Sequence, residues 1–66
     1  MKLKTKISGT TFEIKPEFLT MAQEAFNALG IANARLIQAI LVDSETLRIA
    51  WAFDDGKWDS KLIPLK

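Results

Sequence analysis

The chain contains no cysteine and no histidine. Disulfides, thiol nucleophiles, imidazole bases and the usual structural zinc ligands are therefore all excluded. Glycine is scarce, with three in 66 residues, and neither a G-x-G-x-x-G nor a G-x-x-x-x-G-K-[ST] phosphate cradle occurs. No apolar run approaches the roughly 18 residues that a membrane-spanning helix needs, so no membrane role is expected. The opening Met-Lys-Leu-Lys-Thr-Lys is charged but leads into no apolar segment, so it does not read as a secretory signal. Together with the lack of cysteine, this places the chain in the cytoplasm as an expectation. An excess of one charge is missing too. Nine basic residues face eight acidic ones for a net +1, and bulk electrostatics favours no class of partner.

What remains is apolar side-chain mass. Hydrophobic residues make up 48% of the chain, with four Phe and two Trp among them. Residues 1–66 are expected to form one small domain, near the lower size limit for folding without a covalent or metal staple.

The strongest local pattern runs from Leu47 to Leu65 around Asp55-Gly56. Asp-Gly suits a two-residue hairpin turn with positive φ at both positions. That turn sets Phe53 opposite Trp58, Trp51 opposite Ser60, Ile49 opposite Leu62 and Leu47 opposite Pro64, all on one face. The other face pairs Asp54 with Lys57, Ala52 with Asp59, Ala50 with Lys61 and Arg48 with Ile63. A one-residue slip would send every one of these side chains to the opposite side.

Residues 2–15 read as another hairpin, turning at Ser8-Gly9 or Gly9-Thr10. Leu3, Thr5, Ile7, Phe12 and Ile14 share one face, and Lys2, Lys4, Lys6, Thr11, Glu13 and Lys15 the other. Pro16 and Glu17 suit the first turn of a helix, although Thr20 and Gln23 offer a competing capping box. Phe18, Met21, Ala22, Ala25, Phe26 and Leu29 form a stripe at helical spacing, which predicts a helix over about Pro16 to Leu29 ending at Gly30. Residues 34–42 fit either a strand or a helix capped by Asn33. The clustered β-branched residues favour a strand, joined to the next by a turn at Asp43-Ser44-Glu45-Thr46. This pairs Val42 with Leu47, Ile40 with Ile49 and Leu36 with Phe53.

The predicted architecture is α+β, in the order ββαβββ: an antiparallel-rich five-stranded sheet with one helix packed on one face. The helix would cover Leu36, Ile40, Ile49, Trp51, Phe53, Trp58 and Leu62. Gln38 would lie in that layer beside Trp51 and Ser60, satisfied locally, for instance by the indole N–H.

Chemistry is hard to find. Ser8, Ser44 and Ser60 lie at turns or strand pairs, and none has a nucleophile-elbow setting. Glu13, Glu17 and Glu24 read as solvated strand and helix residues rather than an acid/base pair. Asp54, Asp55 and Asp59 around Gly56 lack the spacing of a calcium loop and read as turn chemistry. No enzyme activity, cofactor or metal is therefore expected. The two Trp and Phe53 read as core rather than as an exposed stacking platform.

One feature points to binding. The sheet face away from the helix would collect Lys2, Lys4, Lys6, Lys15, Arg35, Arg48, Lys57 and Lys61 against Glu13, Asp54 and Asp59, around an apolar centre of Ile37, Ala39, Leu41, Ala50, Ala52 and Ile63. Small apolar residues rimmed by charge resemble interface anatomy, while a row of lysines also serves as protection against aggregation. The sequence thus predicts a non-enzymatic binding module, an adaptor or inhibitor acting by occupancy. Lys2, Lys4, Lys6, Arg35, Ile37, Leu41, Arg48, Ala50 and Lys61 would touch the partner, either a second copy in a homodimer or an acidic macromolecule. The alternative is sequence-independent nucleic-acid binding through Lys2, Lys4 and Lys6. Against it stand a pI of only about 8.1 and a face without aromatics.

Overall fold

A computed structural model describes residues 4–65. Its elements follow the predicted order: β1 (Lys4–Ile7), β2 (Thr10–Glu13), a 3-10 turn (Pro16–Phe18), α1 (Leu19–Ala28), β3 (Ala34–Asp43), β4 (Thr46–Phe53) and β5 (Trp58–Pro64). The class is α+β. The strands form two antiparallel sheets, β1-β2 and β3-β4-β5, rather than one sheet of five.

The first hairpin turns at Ser8-Gly9. Both residues have positive φ, 51° and 82°, the pair of values that a type I′ turn demands. The helical segment starts with Pro16 in a 3-10 turn and continues as α1, so the start at Thr20 is not used and no side chain caps α1. Gln23 Nε2 instead donates to Asn27 Oδ1 at 3.0 Å, one turn along the helix. Ala22 and Phe26 are the buried residues of α1, with Phe18, Leu19, Ala25 and Leu29 packed at the margins. Met21 falls just outside this stripe and is exposed, contrary to its expected packing role. Residues 34–43 are a strand, and Asn33 precedes it with positive φ rather than capping a helix.

The hairpin around Gly56 departs from expectation by one residue. The Gly56 N–H donates to the Phe53 carbonyl at 3.1 Å, and the Phe53 N–H donates to the Lys57 carbonyl at 2.7 Å. Only Gly56 has positive φ in this loop, at 89°. These features define a three-residue loop, Asp54-Asp55-Gly56, in which a tight turn is followed by one left-handed glycine. Asp55 is spared the left-handed conformation that a two-residue turn would impose, one that costs a non-glycine residue about 1–2 kcal/mol. The resulting pairs are Ala52 with Trp58, Trp51 with Asp59, Ala50 with Ser60, Ile49 with Lys61, Arg48 with Leu62 and Leu47 with Ile63. Every β5 side chain therefore lies on the face opposite to the one expected. Trp58 and Leu62 leave the helix side, and Ile63 joins it.

Strand β3 carries two irregularities, between Leu36 and Gln38 and between Leu41 and Asp43. Each inserts one extra residue and so shifts the pairing by one. Asp43 faces Thr46 as expected, but Leu41 rather than Val42 then meets Leu47, Ala39 meets Ile49 and Ile40 meets Arg48. The second shift returns Leu36 to Trp51 on the helix side. Ala39 and Leu41 thus pair with helix-side residues and Ile40 does not, the reverse of the expected assignment.

Two buried clusters result. On the helix side, Ile14, Ala22, Phe26, Ala39, Leu47, Ile49 and Trp51 pack together, with the Phe26 and Trp51 rings 5.9 Å apart. On the opposite side, Phe12 packs with Ile37, Ala50 and Ala52, flanked by Ile7. The two alanines leave room above β4 for the Phe12 ring, which meets Trp58 edge-on at 4.8 Å. The first hairpin therefore covers the face that a single five-stranded sheet would leave open. Phe12 and Ile14, two residues apart, serve opposite clusters. The chain passes the β3 edge between them, held by an isolated parallel bridge of Ile14 to Ala39 and by the Lys15 N–H donating to the Ala39 carbonyl at 2.9 Å.

Candidate functional site

The expected binding residues do not stay together. Ile37 and Ala50 are buried beneath the first hairpin, 2% and 0% exposed. Arg35 is exposed and pairs with Ala52. It lines a depression together with Ile7, Ala52, Phe53, Asp54 and Gly56. Leu41 is exposed but pairs with Leu47, on the helix side. Lys4 and Lys6 project from β1 opposite Glu13 and Thr11, both exposed, and Lys2 lies outside the described residues. Lys15, at the end of the same hairpin, is 3.8 Å from the Glu13 carboxylate. Lys61 is exposed and pairs with Ile49.

A different grouping is present on β5. Trp58, Ser60 and Leu62 alternate along one face of this strand, with Leu62 57% exposed and Trp58 38% exposed. In register with Leu62 across the sheet come Arg48 and then Ile40, both half-buried. An apolar strip with an arginine inside it thus occupies the uncovered part of the outer face, while Lys61, paired with Ile49, lies on the helix side of the same strand. Trp58 and Leu62 were expected in the core. Asp-Asp-Gly accommodates either a two-residue or a three-residue loop, so no local signal marked them as exposed.

β5 also ends the sheet: among the described residues it pairs with β4 on one side and with no strand on the other. The Phe53–Lys57 bond and the Leu65 N–H to Glu45 carbonyl bond, 2.8 Å, bracket the β4–β5 ladder. Antiparallel pairs alternate between bonded and non-bonded positions. The Lys57 carbonyl, the backbone groups of Asp59, Lys61 and Ile63 and the Leu65 N–H are therefore directed to β4, and Trp58, Ser60, Leu62 and Pro64 direct theirs to the free edge. In agreement, the Ser60 N–H finds its acceptor locally, on Asp59 Oδ1 at 2.8 Å.

The carboxylates near Gly56 serve the backbone. Asp55 Oδ1 accepts the Lys57 N–H at 3.0 Å and Asp59 Oδ1 accepts the Ser60 N–H. Among the described residues, no group of three or more acidic side chains converges as a metal site, and no helix is long and apolar enough to cross a membrane.

Gln38 and Trp51 do not satisfy each other. Gln38 pairs with Ala50 on the hairpin side and Trp51 belongs to the helix-side cluster, so the sheet separates them. Among the described residues, Gln38 Oε1 and Trp51 Nε1 are both buried without a hydrogen-bond partner. An orphaned buried acceptor costs about 1–3 kcal/mol. Gln38→Met, similar in shape and without polar demands, is accordingly expected to raise stability by about 1 kcal/mol in urea titration. A loss of stability would mean that Oε1 is satisfied in solution.

Compared with known proteins, the chain matches no family model, no curated protein and no solved structure.

Proposed function

We propose that this chain is a non-enzymatic binding module that works by occupying a protein partner, and that its contact surface is the uncovered strip on β5. The observation that carries the reading is the exposure of Trp58 and Leu62 on one face of an edge strand, with Arg48 in register with Leu62. Exposed apolar side chains grouped with arginine are the composition of interface hot spots. The Arg48 cation beside them favours an acidic group on the partner. Lys4, Lys6, Arg35 and Lys57 are exposed elsewhere on the surface, and a chain acting by occupancy suits the expected adaptor or inhibitor role.

The test is affinity capture with the immobilised chain, comparing wild type with Leu62→Lys and Arg48→Glu. Both positions lie outside the two buried clusters, so circular dichroism should stay unchanged while a captured protein, or a further copy of the chain, is lost. Equal capture by wild type and both variants would refute this surface.

Nucleic-acid binding is the second reading, supported by Lys4 and Lys6 standing exposed at alternate positions of one strand. Such binding would be independent of base sequence and would weaken steeply with salt. Lys4→Glu/Lys6→Glu should abolish a fluorescence-anisotropy signal with duplex or single-stranded DNA at low salt. No signal from the wild-type chain under those conditions would end this reading.

A further inference from the structure

The free edge of β5 carries a second kind of information, in the order of its residues. We infer that β5 pairs antiparallel with β5 of a second copy, about a two-fold axis at Ser60, joining two three-stranded sheets into one of six. This rests on the protein-binding reading of the β5 surface and names its partner.

The backbone supplies the first argument. Trp58, Ser60 and Leu62 face the free edge with both donor and acceptor. Pro64 faces the same way but has no N–H, and at the other end the Gly56 N–H is already bonded to Phe53. Pairing is therefore confined to the segment between them. A two-fold axis at Ser60 uses all of it. Ser60 bonds Ser60 of the second copy, and Trp58 bonds Leu62 of the second copy on either side of the axis.

Side chains select the same register. Trp58 meets Leu62 of the second copy twice, covering on each chain the two most prominent apolar residues of β5. Asp59 meets Lys61 of the second copy twice, at non-bonded positions where facing Cα atoms lie only about 4.5 Å apart. Opposite charges directly across a ladder stabilise it, and like charges destabilise it. Moving the axis to Asp59 or Lys61 sets identical charges face to face. Moving it to Leu62 pairs Ser60 with Pro64 and loses a hydrogen bond. Moving it to Trp58 pairs Ser60 with Gly56, whose N–H is taken. The interface is isologous, as a closed dimer requires.

In the single chain the Asp59 carboxylate occupies the Ser60 N–H at the centre of this edge. On pairing, Asp59 exchanges that bond for Lys61 of the second copy, and the Ser60 N–H turns to the opposing carbonyl. Asp59 thus guards the edge against strands that offer no lysine at the facing position, a use of charge common on sheet edges.

The experiment is sedimentation equilibrium or light scattering of the full chain, with Asp59→Lys, Lys61→Asp, their equimolar mixture and the double variant. The wild-type chain should be dimeric at micromolar concentration. Each single variant should weaken the dimer by about tenfold or more, since two attractive pairs become repulsive. The mixture should recover association through complementary heterodimers, and Asp59→Lys/Lys61→Asp should recover it as a homodimer. Both residues are exposed, and circular dichroism checks that each variant folds. A wild-type chain that stays monomeric to high micromolar concentration overturns the dimer. Single variants that associate as tightly as wild type, or a mixture that fails to recover, overturn it as well. Failure here leaves the broader binding reading to its own capture test, in which Leu62 and Arg48 are changed and the charge pair is intact.

Discussion

Trp51→Ala is expected to destabilise the chain by about 3–5 kcal/mol, the cost of removing a large aromatic side chain from a core. Trp51 is 5% exposed in the centre of β4 and packs on Phe26 of α1, so its loss opens the contact that joins helix to sheet. Small domains hold only about 5–15 kcal/mol in total, and the variant should be largely unfolded on warming. Chemical denaturation measures the effect directly. Leu62→Ala provides the contrast: Leu62 is 57% exposed and its replacement should leave stability within about 0.5 kcal/mol. Under the two-residue turn, Leu62 would have been core and both substitutions would have been severe. Equal effects of the two variants would contradict the three-residue loop.

Phe12→Ala should cost about as much, again about 3–5 kcal/mol, because Phe12 is the one large side chain through which β2 enters the second cluster. It spans Ile37, Ala50 and Ala52 and reaches Trp58. Small residues beneath it cannot close the gap, so the cavity term stays large. The accompanying sign should be faster hydrogen exchange in β1 and β2 as the hairpin loosens from the sheet. An unchanged midpoint with intact protection of β1 and β2 would show that the hairpin does not cover this face.

Much of the local structure was legible from residue order. A first hairpin turning at Gly9 and the helical stripe through Ala22 and Phe26 follow from short-range patterns of φ preference and hydrophobic period. Those patterns left open Ser8-Gly9 against Gly9-Thr10, Pro16 against Thr20 as the helix start, and strand against helix at 34–42. The faces were less accessible. A strand face is a parity, and each extra residue in a loop or bulge reverses it. Asp54-Asp55-Gly56 reversed β5, and the irregularities at Leu36/Gln38 and Leu41/Asp43 reversed part of β3 and then restored it. The candidate site moved with them. Lys4, Lys6, Arg35, Arg48 and Lys61 kept at least part of their surface, Ile37 and Ala50 went under the first hairpin, and Trp58 and Leu62 came out.

Alternation and turn chemistry in the sequence alone determined where the helix and the two hairpins lie and which side chains are available for a core, and favoured a strand at 34–42 without deciding it. Tertiary structure decided which of those side chains the core keeps. The alanines at 50 and 52 are equally compatible with an open surface and with a seat for another side chain. Only the arrival of Phe12 from the first hairpin, a contact between segments far apart in the chain, makes them core and leaves the edge of β5 as the exposed apolar surface.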